Sequence, residues 1–307
     1  MIDFDNDVES EPLLVRITRK YIVPSVFILF VSMVAYYFWV KHNFGSTTSS
    51  TSNSPGSAMG DCGLFGDMFG AYSAFFGGLG FIAVAITTVM QMQQAHRSQV
   101  ETTFFNMLER LTQITNNSYF PDTEDRGQAY LRKAMLALQS TYNHDVLMEL
   151  GNMARQELPP NATMEQQANF LINKKLPASK YQELVINSYE NFYTIHEHNL
   201  GHYFRYLYNI IKFIRKSFKD KPQTANEYIN LIQAQMSNDE LGLLFYNAVS
   251  KHGRNLTGED VFRSWLDEYD FFENIDPRCI FDEAFLVFYP KTHFKFKVRE
   301  SLANAEA

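Results

Sequence analysis

Two histidines in this sequence have a spacing that is compatible with metal binding. His198 and His202 are four residues apart, so on a helix their imidazoles share one face and could bind Zn²⁺. The metalloprotease pattern His-Glu-x-x-His is absent, and no cysteine lies nearby. Half-buried packing on an aromatic-rich helix is the competing interpretation. We name His198 and His202 as the metal candidates and keep both interpretations open.

Motifs of known catalytic mechanisms do not occur in the sequence. It has no Gly-x-Gly-x-x-Gly loop, phosphate-binding loop, Gly-x-Ser-x-Gly elbow or protein-kinase signature. Its two cysteines, Cys62 and Cys279, are too few for a disulfide framework or a four-thiolate zinc site within one chain. The sequence therefore predicts no catalytic residue, no cofactor-binding residue and no cofactor, and we do not expect an enzyme.

The charge balance argues against nucleic-acid binding. The 307 residues carry a formal net charge of -7 at pH 7, and a protein that binds phosphate backbones usually carries a basic excess. We therefore expect no direct contact with nucleic acid.

Two uncharged apolar stretches near the N-terminus predict a membrane protein. Residues 21–40 contain no charged side chain, and twenty helical residues span about 30 Å, the thickness of the bilayer hydrocarbon core. Residues 69–90 form a second stretch of this kind. We predict that they are transmembrane helices 1 and 2 of a hairpin, with the lipid bilayer as a partner.

The flanking charges predict the orientation of this hairpin. Arg16, Arg19 and Lys20 precede the first span and Arg97 follows the second, whereas residues 42–67 contain no Lys or Arg. By the positive-inside rule both termini are cytoplasmic. We therefore predict a multi-pass protein of the bacterial inner membrane, with an acidic cytoplasmic tail over residues 1–20 and a periplasmic Ser/Thr-rich connector over residues 41–67.

Small residues recur every four positions along the second span. Gly66, Gly70, Ala74 and Gly78 form a ridge on one helix face that lets another helix approach closely. Packing against the first span and self-association of protomers both account for this ridge. A homo-oligomer is therefore expected, with packing inside the hairpin as the alternative.

The remaining residues, 91–307, predict a helical cytoplasmic domain. Apolar and aromatic side chains recur at helical spacing along residues 99–114 and 181–218. Since the second span runs into the first of these segments without Gly or Pro, we predict one continuous helix to Ile114, and we predict a further helix over residues 261–272. Ser237 and Glu240 have the Ser-x-x-Glu spacing of a capping box, which predicts that a helix begins there. The alternating residues 293–298 predict one short C-terminal strand. The fold class is therefore all-α, with this strand as the exception.

Several segments resemble the phage abortive infection family of AbiC-like bacterial membrane proteins. They are Gly-Asp-Met-Phe-Gly at 66–70, Thr-Phe-Phe-Asn-Met-Leu at 103–108, His-Tyr-Phe-Arg-Tyr-Leu-Tyr at 202–208, Gln-Met-Ser-Asn-Asp-Glu-Leu at 235–241 and Phe-Tyr-Asn at 245–247. The resemblance covers roughly residues 64–275. The motif positions that we carry over are Phe105, Asn106, Arg205, Glu240 and Asn247.

The resemblance implies anti-phage defence by abortive infection. In this interpretation, the cytoplasmic domain senses infection through a phage protein or a separate sensor such as a retron, and the membrane effector then disrupts the membrane or arrests growth. The motif positions are expected to be structural anchors, with Arg205 and Asn247 in one buried hydrogen-bonded network. A membrane-tethered nuclease-like enzyme and a non-toxic membrane sensor or adaptor are the alternatives.

Overall fold

The computed structural model describes residues 57–120, 124–255 and 257–306, together with positions 28, 31, 32, 34, 35, 38 and 42. For residues 57–69, 71, 72, 300 and 302–306 it describes the backbone alone. The seven isolated positions are helical. The rest of predicted transmembrane helix 1 (residues 21–40), the acidic tail (1–20) and the connector up to residue 56, apart from position 42, lie outside the described residues.

The first complete helix, α1, runs from Ser57 to Asn117 and has 61 residues. It contains predicted transmembrane helix 2 and begins inside the predicted connector. Its segment Ser73–Asn117 is the one helix of the described residues that is long and apolar enough to cross a membrane, by length and composition. The prediction that this helix continues to Ile114 without a break is confirmed.

Seven further α-helices follow in the described residues. They are α2 (Gln128–Glu157), α3 (Met164–Asn173), α4 (Ala178–Ser217), α5 (Pro222–Gln235), α6 (Asn238–Val249), α7 (Val261–Glu268) and α8 (Lys295–Glu306). Short 3₁₀ helices cover Lys251–Gly253, Pro277–Cys279 and Glu283–Phe288. By its contacts the chain divides into two units, Met1–Thr87 and Thr88–Ala307.

The core of the second unit is built around α4 and α6. Helix α4 presents a broad apolar stripe, as its sequence periodicity predicts, and buries 15 of its residues. Every residue of α6 from Glu240 to Val249 is buried. A helix buried on all sides has no face free for water, so α6 lies at the centre and the helices around it are positioned against it.

The loop between α1 and α2 returns the chain to the core within ten residues. Gly127 adopts φ 58°, a left-handed conformation that glycine reaches without strain. Its N–H donates to the carbonyl of Ser118 at 2.9 Å, and Gln128 then begins α2. The last turn of α1 and the first turn of α2 therefore lie side by side.

The predicted C-terminal strand is wrong. Lys295 begins α8, and residues 293–298 pair with no strand, because the described residues contain only an isolated β-bridge, Tyr119 with Arg126. A single strand needs a neighbour for its backbone hydrogen bonds. The alternation instead places Phe294 and Phe296 in ring contact, with centroids 5.6 Å apart.

Helix α7 is shorter than its sequence pattern predicts. The pattern extends to Phe272, but the helix ends at Glu268. Asp270 has φ 51°, which turns the chain away from the helical path. Phe271 and Phe272 are thereby buried in the core beyond the helix.

Candidate functional site: a buried carboxylate

The capping box predicted at the start of α6 is present. The N–H of Ser237 donates to Glu240 Oε2 at 2.8 Å, and the N–H of Glu240 donates to Ser237 Oγ at 3.3 Å. Two backbone donors that would otherwise lack partners at the helix end are satisfied in this way. The Glu240 side chain therefore points back over its own first turn.

Three other parts of the chain donate to the same carboxylate. Thr115 Oγ1 and Tyr203 Oη donate to Glu240 Oε1 at 3.3 and 3.0 Å, and Gln128 Nε2 donates to Oε2 at 3.1 Å. With the Ser237 N–H there are four donors, which fill the acceptor capacity of a carboxylate. We call these five residues the Glu240 network.

The carboxylate of Glu240 is buried among neutral donors. The residue is 4% exposed, and in the part of the chain that the structure describes no Lys or Arg forms an ion pair with it. Burying a charge costs free energy unless hydrogen bonds compensate. The four donors supply these hydrogen bonds from the backbone and from neutral side chains.

Tyr203 is a donor that stays protonated at physiological pH. Burial raises the pKa of its hydroxyl well above the ordinary value, and the negative charge of Glu240 and the hydrogen bond to it act in the same direction. The phenol therefore keeps its proton and donates it to the carboxylate. Removing this hydroxyl would leave one oxygen of a buried charge with a donor fewer.

The network connects four helices at one point. Thr115 is in the last turn of α1, Gln128 opens α2, Tyr203 lies in α4, and Glu240 opens α6. A small cavity of about 60 Å³ lies beside it, lined by network residues and by Thr112 and Asn116 of α1. Water needs about 10–15 Å³ of such space per molecule, so the cavity can hold a few waters next to the carboxylate.

Asn247, a second predicted motif position, is buried deeper in α6. Its Nδ2 donates to the hydroxyl of Tyr189 at 2.9 Å, and Ser250 Oγ donates to its carbonyl at 2.8 Å. The prediction that Arg205 joins it is wrong. Arg205 is exposed, and its Nε donates to the Gly201 carbonyl of the same helix at 2.9 Å, because position 205 faces away from α6.

Phe105 and Asn106 are not buried anchors. Phe105 is 55% exposed and Asn106 is exposed. The neighbouring Phe104 is fully buried and packs edge-on against Tyr228 at 4.8 Å. Within this motif, the aromatic residue that holds α1 to the core is therefore Phe104.

The metal candidates His198 and His202 are exposed and line one open cavity of about 130 Å³. Arg110 lines it too, and its guanidinium would repel a metal cation. Among residues 57–120, 124–255 and 257–306, no three histidine, cysteine or acidic side chains are grouped to hold a metal ion.

His196, which lies on α4 with His198 and His202, is a core residue. It is 4% exposed, its Nδ1 lies 3.3 Å from the Tyr130 hydroxyl, and its ring lies 4.4 Å from that of Phe192. Burial, with a smaller contribution from the charge of His198, lowers its pKa to about 4. It is therefore neutral at physiological pH.

The small-residue ridge of Gly66, Gly70, Ala74 and Gly78 lies within α1. A methyl group built on Gly70 or Gly78 would meet no atom of the described residues within 4 Å, and Ala74 is exposed. Within the described part of this single chain, the ridge has room for another helix.

Three members of the Glu240 network were not anticipated from the sequence. Thr115 and Gln128 are separated from Glu240 by 125 and 112 positions, and Tyr203 by 37. The sequence places Tyr203 in an apolar stripe and in the family-like segment 202–208, and neither pattern predicts its bond to Glu240. No local pattern connects residues so far apart, although their polar side chains at the two ends of the α1–α2 loop are a partial signal.

Comparison with known protein families identifies part of the chain. Residues 195–280 match a family model described as "Putative phage abortive infection protein", which confirms the resemblance over this segment. No curated protein and no solved structure matches the chain.

Proposed function

Residues 195–280 of this chain carry the sequence of the phage abortive infection family, and from this we propose that the protein is an anti-phage defence effector. It acts by abortive infection: its helical domain senses infection or a partner, and a membrane segment then disrupts the membrane or arrests growth. The single observation that carries this proposal is the family match, which covers part of α4 together with α5, α6 and α7.

The Glu240 network supports a route by which this segment acts on α1. Tyr203, Ser237 and Glu240 lie within the matched residues, and Thr115 lies in the last turn of α1. Helix α1 is also the helix that contains the apolar membrane candidate. A rearrangement of α4 or α6 that breaks the bonds to Glu240 therefore removes the polar connection between this segment and the last turn of α1.

The apolar segment of α1 supports a place in the membrane. Its side chains are exposed, Phe81 by 76% and Val84 by 65%, which water disfavours and lipid does not. We propose that it crosses the bacterial inner membrane as one of two spans, with both termini cytoplasmic. The open ridge at Gly70 and Gly78 serves self-association.

An infection experiment tests the function. Bacteria with and without the protein are infected at low phage-to-cell ratio, and phage progeny and culture survival are measured. We expect infected cells carrying the protein to die or stop growing before progeny appear, so that the culture survives. Normal growth of infected cells together with a normal phage yield would contradict the proposal.

The variant Glu240→Ala tests the route through the network. It should change the protective response, because Thr115 of α1 loses its hydrogen bond to α6, while Glu197→Ala, which removes an exposed acid on α4, should not. Protein level and membrane fractionation are measured for both variants. Tyr203→Phe, which deletes a single hydroxyl, gives a milder version in case Glu240→Ala does not accumulate.

Membrane placement is tested by two phenylalanines of α1. Phe81→Arg puts a charge into the apolar segment, which costs about 2.5–3.5 kcal/mol in the centre of a span, so membrane integration should fall. Phe105→Arg, on an exposed position of the same helix, should leave integration unchanged. Equal membrane fractions for the two variants, measured after a carbonate wash, would contradict a span at this position.

Purified full-length protein distinguishes the alternatives. Degradation of RNA or DNA by the purified protein would favour the membrane-tethered nuclease. In a separate experiment in cells, overexpression without growth arrest during infection would favour the adaptor. We expect neither result.

A further inference from the structure

An open cavity between α1 and α4 collects nitrogen donors. It has a volume of about 130 Å³ and lies on α1 beside the turn that carries Thr115. Six polar residues line it: Arg110, Asn117, Ser118, His198, Asn199 and His202. No acidic residue is part of this lining.

Two of the lining residues are already engaged with the backbone. Ser118 Oγ donates to the Ile114 carbonyl at 3.0 Å, and Asn199 Nδ2 donates to the Tyr119 carbonyl at 2.7 Å. The N–H of Ser118 also donates to the Thr115 carbonyl at 3.0 Å. The two bonds from Ser118 satisfy carbonyls in the last turn of α1, which reduces the negative partial charge that a helix C-terminus presents.

The other side chains keep donor capacity for a ligand. The Arg110 guanidinium has five N–H groups and gives one of them to Gln113 Oε1 at 3.0 Å. In the part of the chain that the structure describes, Arg110 forms no ion pair with a carboxylate. His198 and His202 add two imidazoles one helical turn apart.

We propose that this cavity binds the phosphate group of a soluble small molecule. A guanidinium binds phosphate through two parallel hydrogen bonds, and imidazole and amide N–H groups complete the shell. The volume is smaller than that of a site that encloses a whole metabolite, about 300–1,000 Å³. The cavity therefore holds the phosphate, and the rest of the ligand lies outside its mouth.

The site adjoins the Glu240 network on both helices. Ile114 borders the cavity and the next residue, Thr115, donates to Glu240; on α4, His202 lines the cavity and the next residue, Tyr203, donates to the same carboxylate. A ligand that joins Arg110 to His202 would hold α1 against α4 next to that network. Binding itself is independent of the proposed function and is tested separately.

Calorimetric titration of the full-length protein tests the site. The protein is placed in phosphatidylcholine nanodiscs and titrated with inorganic pyrophosphate at constant ionic strength. We expect saturable binding at one site per chain. Arg110→Gln should weaken it about tenfold or more, the typical effect of losing a charge-assisted hydrogen bond. The double variant His198→Gln/His202→Gln should also weaken it.

A matched variant and a second lipid composition separate binding in this cavity from binding elsewhere. Arg155→Gln removes an exposed arginine on α2 and should leave pyrophosphate affinity unchanged. Affinity should also be the same in nanodiscs that contain phosphatidylglycerol; a tenfold loss there would assign the cavity to lipid headgroups and overturn a soluble ligand. Thermal midpoints of all variants confirm that each is folded.

Besides the tenfold loss in phosphatidylglycerol nanodiscs, three further results would overturn the proposal. They are the absence of saturable binding, equal affinity in Arg110→Gln and the unsubstituted protein, and binding of Zn²⁺ but not pyrophosphate that the double histidine variant abolishes.

Discussion

A capping box begins two helices of this protein, one without buried residues and one in the core. At α3, Thr163 and Gln166 form a capping box, and no residue of that helix is buried. At α6, Ser237 and Glu240 form the same box, and every residue from Glu240 to Val249 is buried. In both boxes the third helical residue accepts from the N-cap backbone, at 2.9 Å and 2.8 Å.

The difference lies in what the third helical residue does beyond the box. The Gln166 side chain bonds within its own turn, whereas Glu240 also accepts from α1, α2 and α4. A glutamine would suffice for capping. The carboxylate at α6 is therefore explained by its hydrogen bonds to α1, α2 and α4, because capping alone does not require it.

The largest expected effect comes from removing the third residue of each box. Glu240→Ala leaves the buried donors of Thr115 and Tyr203 without their acceptor, which should lower the free energy of unfolding by about 3 kcal/mol. Gln166→Ala removes only a surface contact and should cost about 1 kcal/mol or less. Denaturant unfolding of the full chain in detergent measures both.

Equal losses of unfolding free energy in these two variants would contradict the difference between the two capping boxes. They would mean that Glu240 contributes only its cap and that its bonds to the other helices add nothing to stability.

Acid should have an intermediate effect, through a buried histidine rather than an exposed one. Burial lowers the pKa of His196 from 6.5 to about 4, so protonation favours the unfolded chain. Its contribution to stability is complete above pH 6.5 and is lost as the pH falls towards 4. Between pH 7 and pH 5 this amounts to about 2 kcal/mol.

The variant His196→Gln isolates this contribution. It should flatten the fall in unfolding free energy over that pH range, while His144→Gln, which removes an exposed imidazole, serves as the control. The same pH slope in His196→Gln and the unsubstituted protein would contradict a neutral, buried His196.

The smallest expected effect comes from removing the N-cap side chain of each capping box. Ser237→Ala and Thr163→Ala each remove one N-cap acceptor, which typically costs about 1 kcal/mol. Because this bond is local in both boxes, the two variants should lose similar amounts, measured by thermal unfolding. A loss at Ser237 as large as that of Glu240→Ala would show that the cap itself holds the network together.

Structural features that depend on contacts within one helix could be predicted from the sequence. The apolar stripe of α4, the capping box of α6 and the continuation of α1 to Ile114 follow from periodicity and from hydrogen bonds within one helical turn. The C-terminal strand failed because a strand depends on a partner elsewhere in the chain. Arg205 failed for a related reason, since its position on α4 decides whether it can face α6.

The candidate site depended on contacts that sequence spacing does not encode. Glu240 was identified as a cap, but its bond to Thr115 crosses 125 positions. The charge of a buried carboxylate is compensated by whichever donors the fold brings near. Only the packing of α1, α2, α4 and α6 determines that these donors are Thr115, Gln128 and Tyr203.

Membrane potential during infection tests the central claim most directly. A potential-sensitive dye is followed in infected cells that carry the protein and in infected cells that lack it. The account predicts that the potential collapses early in infection only where the protein is present, and that Phe81→Arg prevents the collapse. Growth arrest with an intact potential would contradict the membrane disruption proposed for this protein.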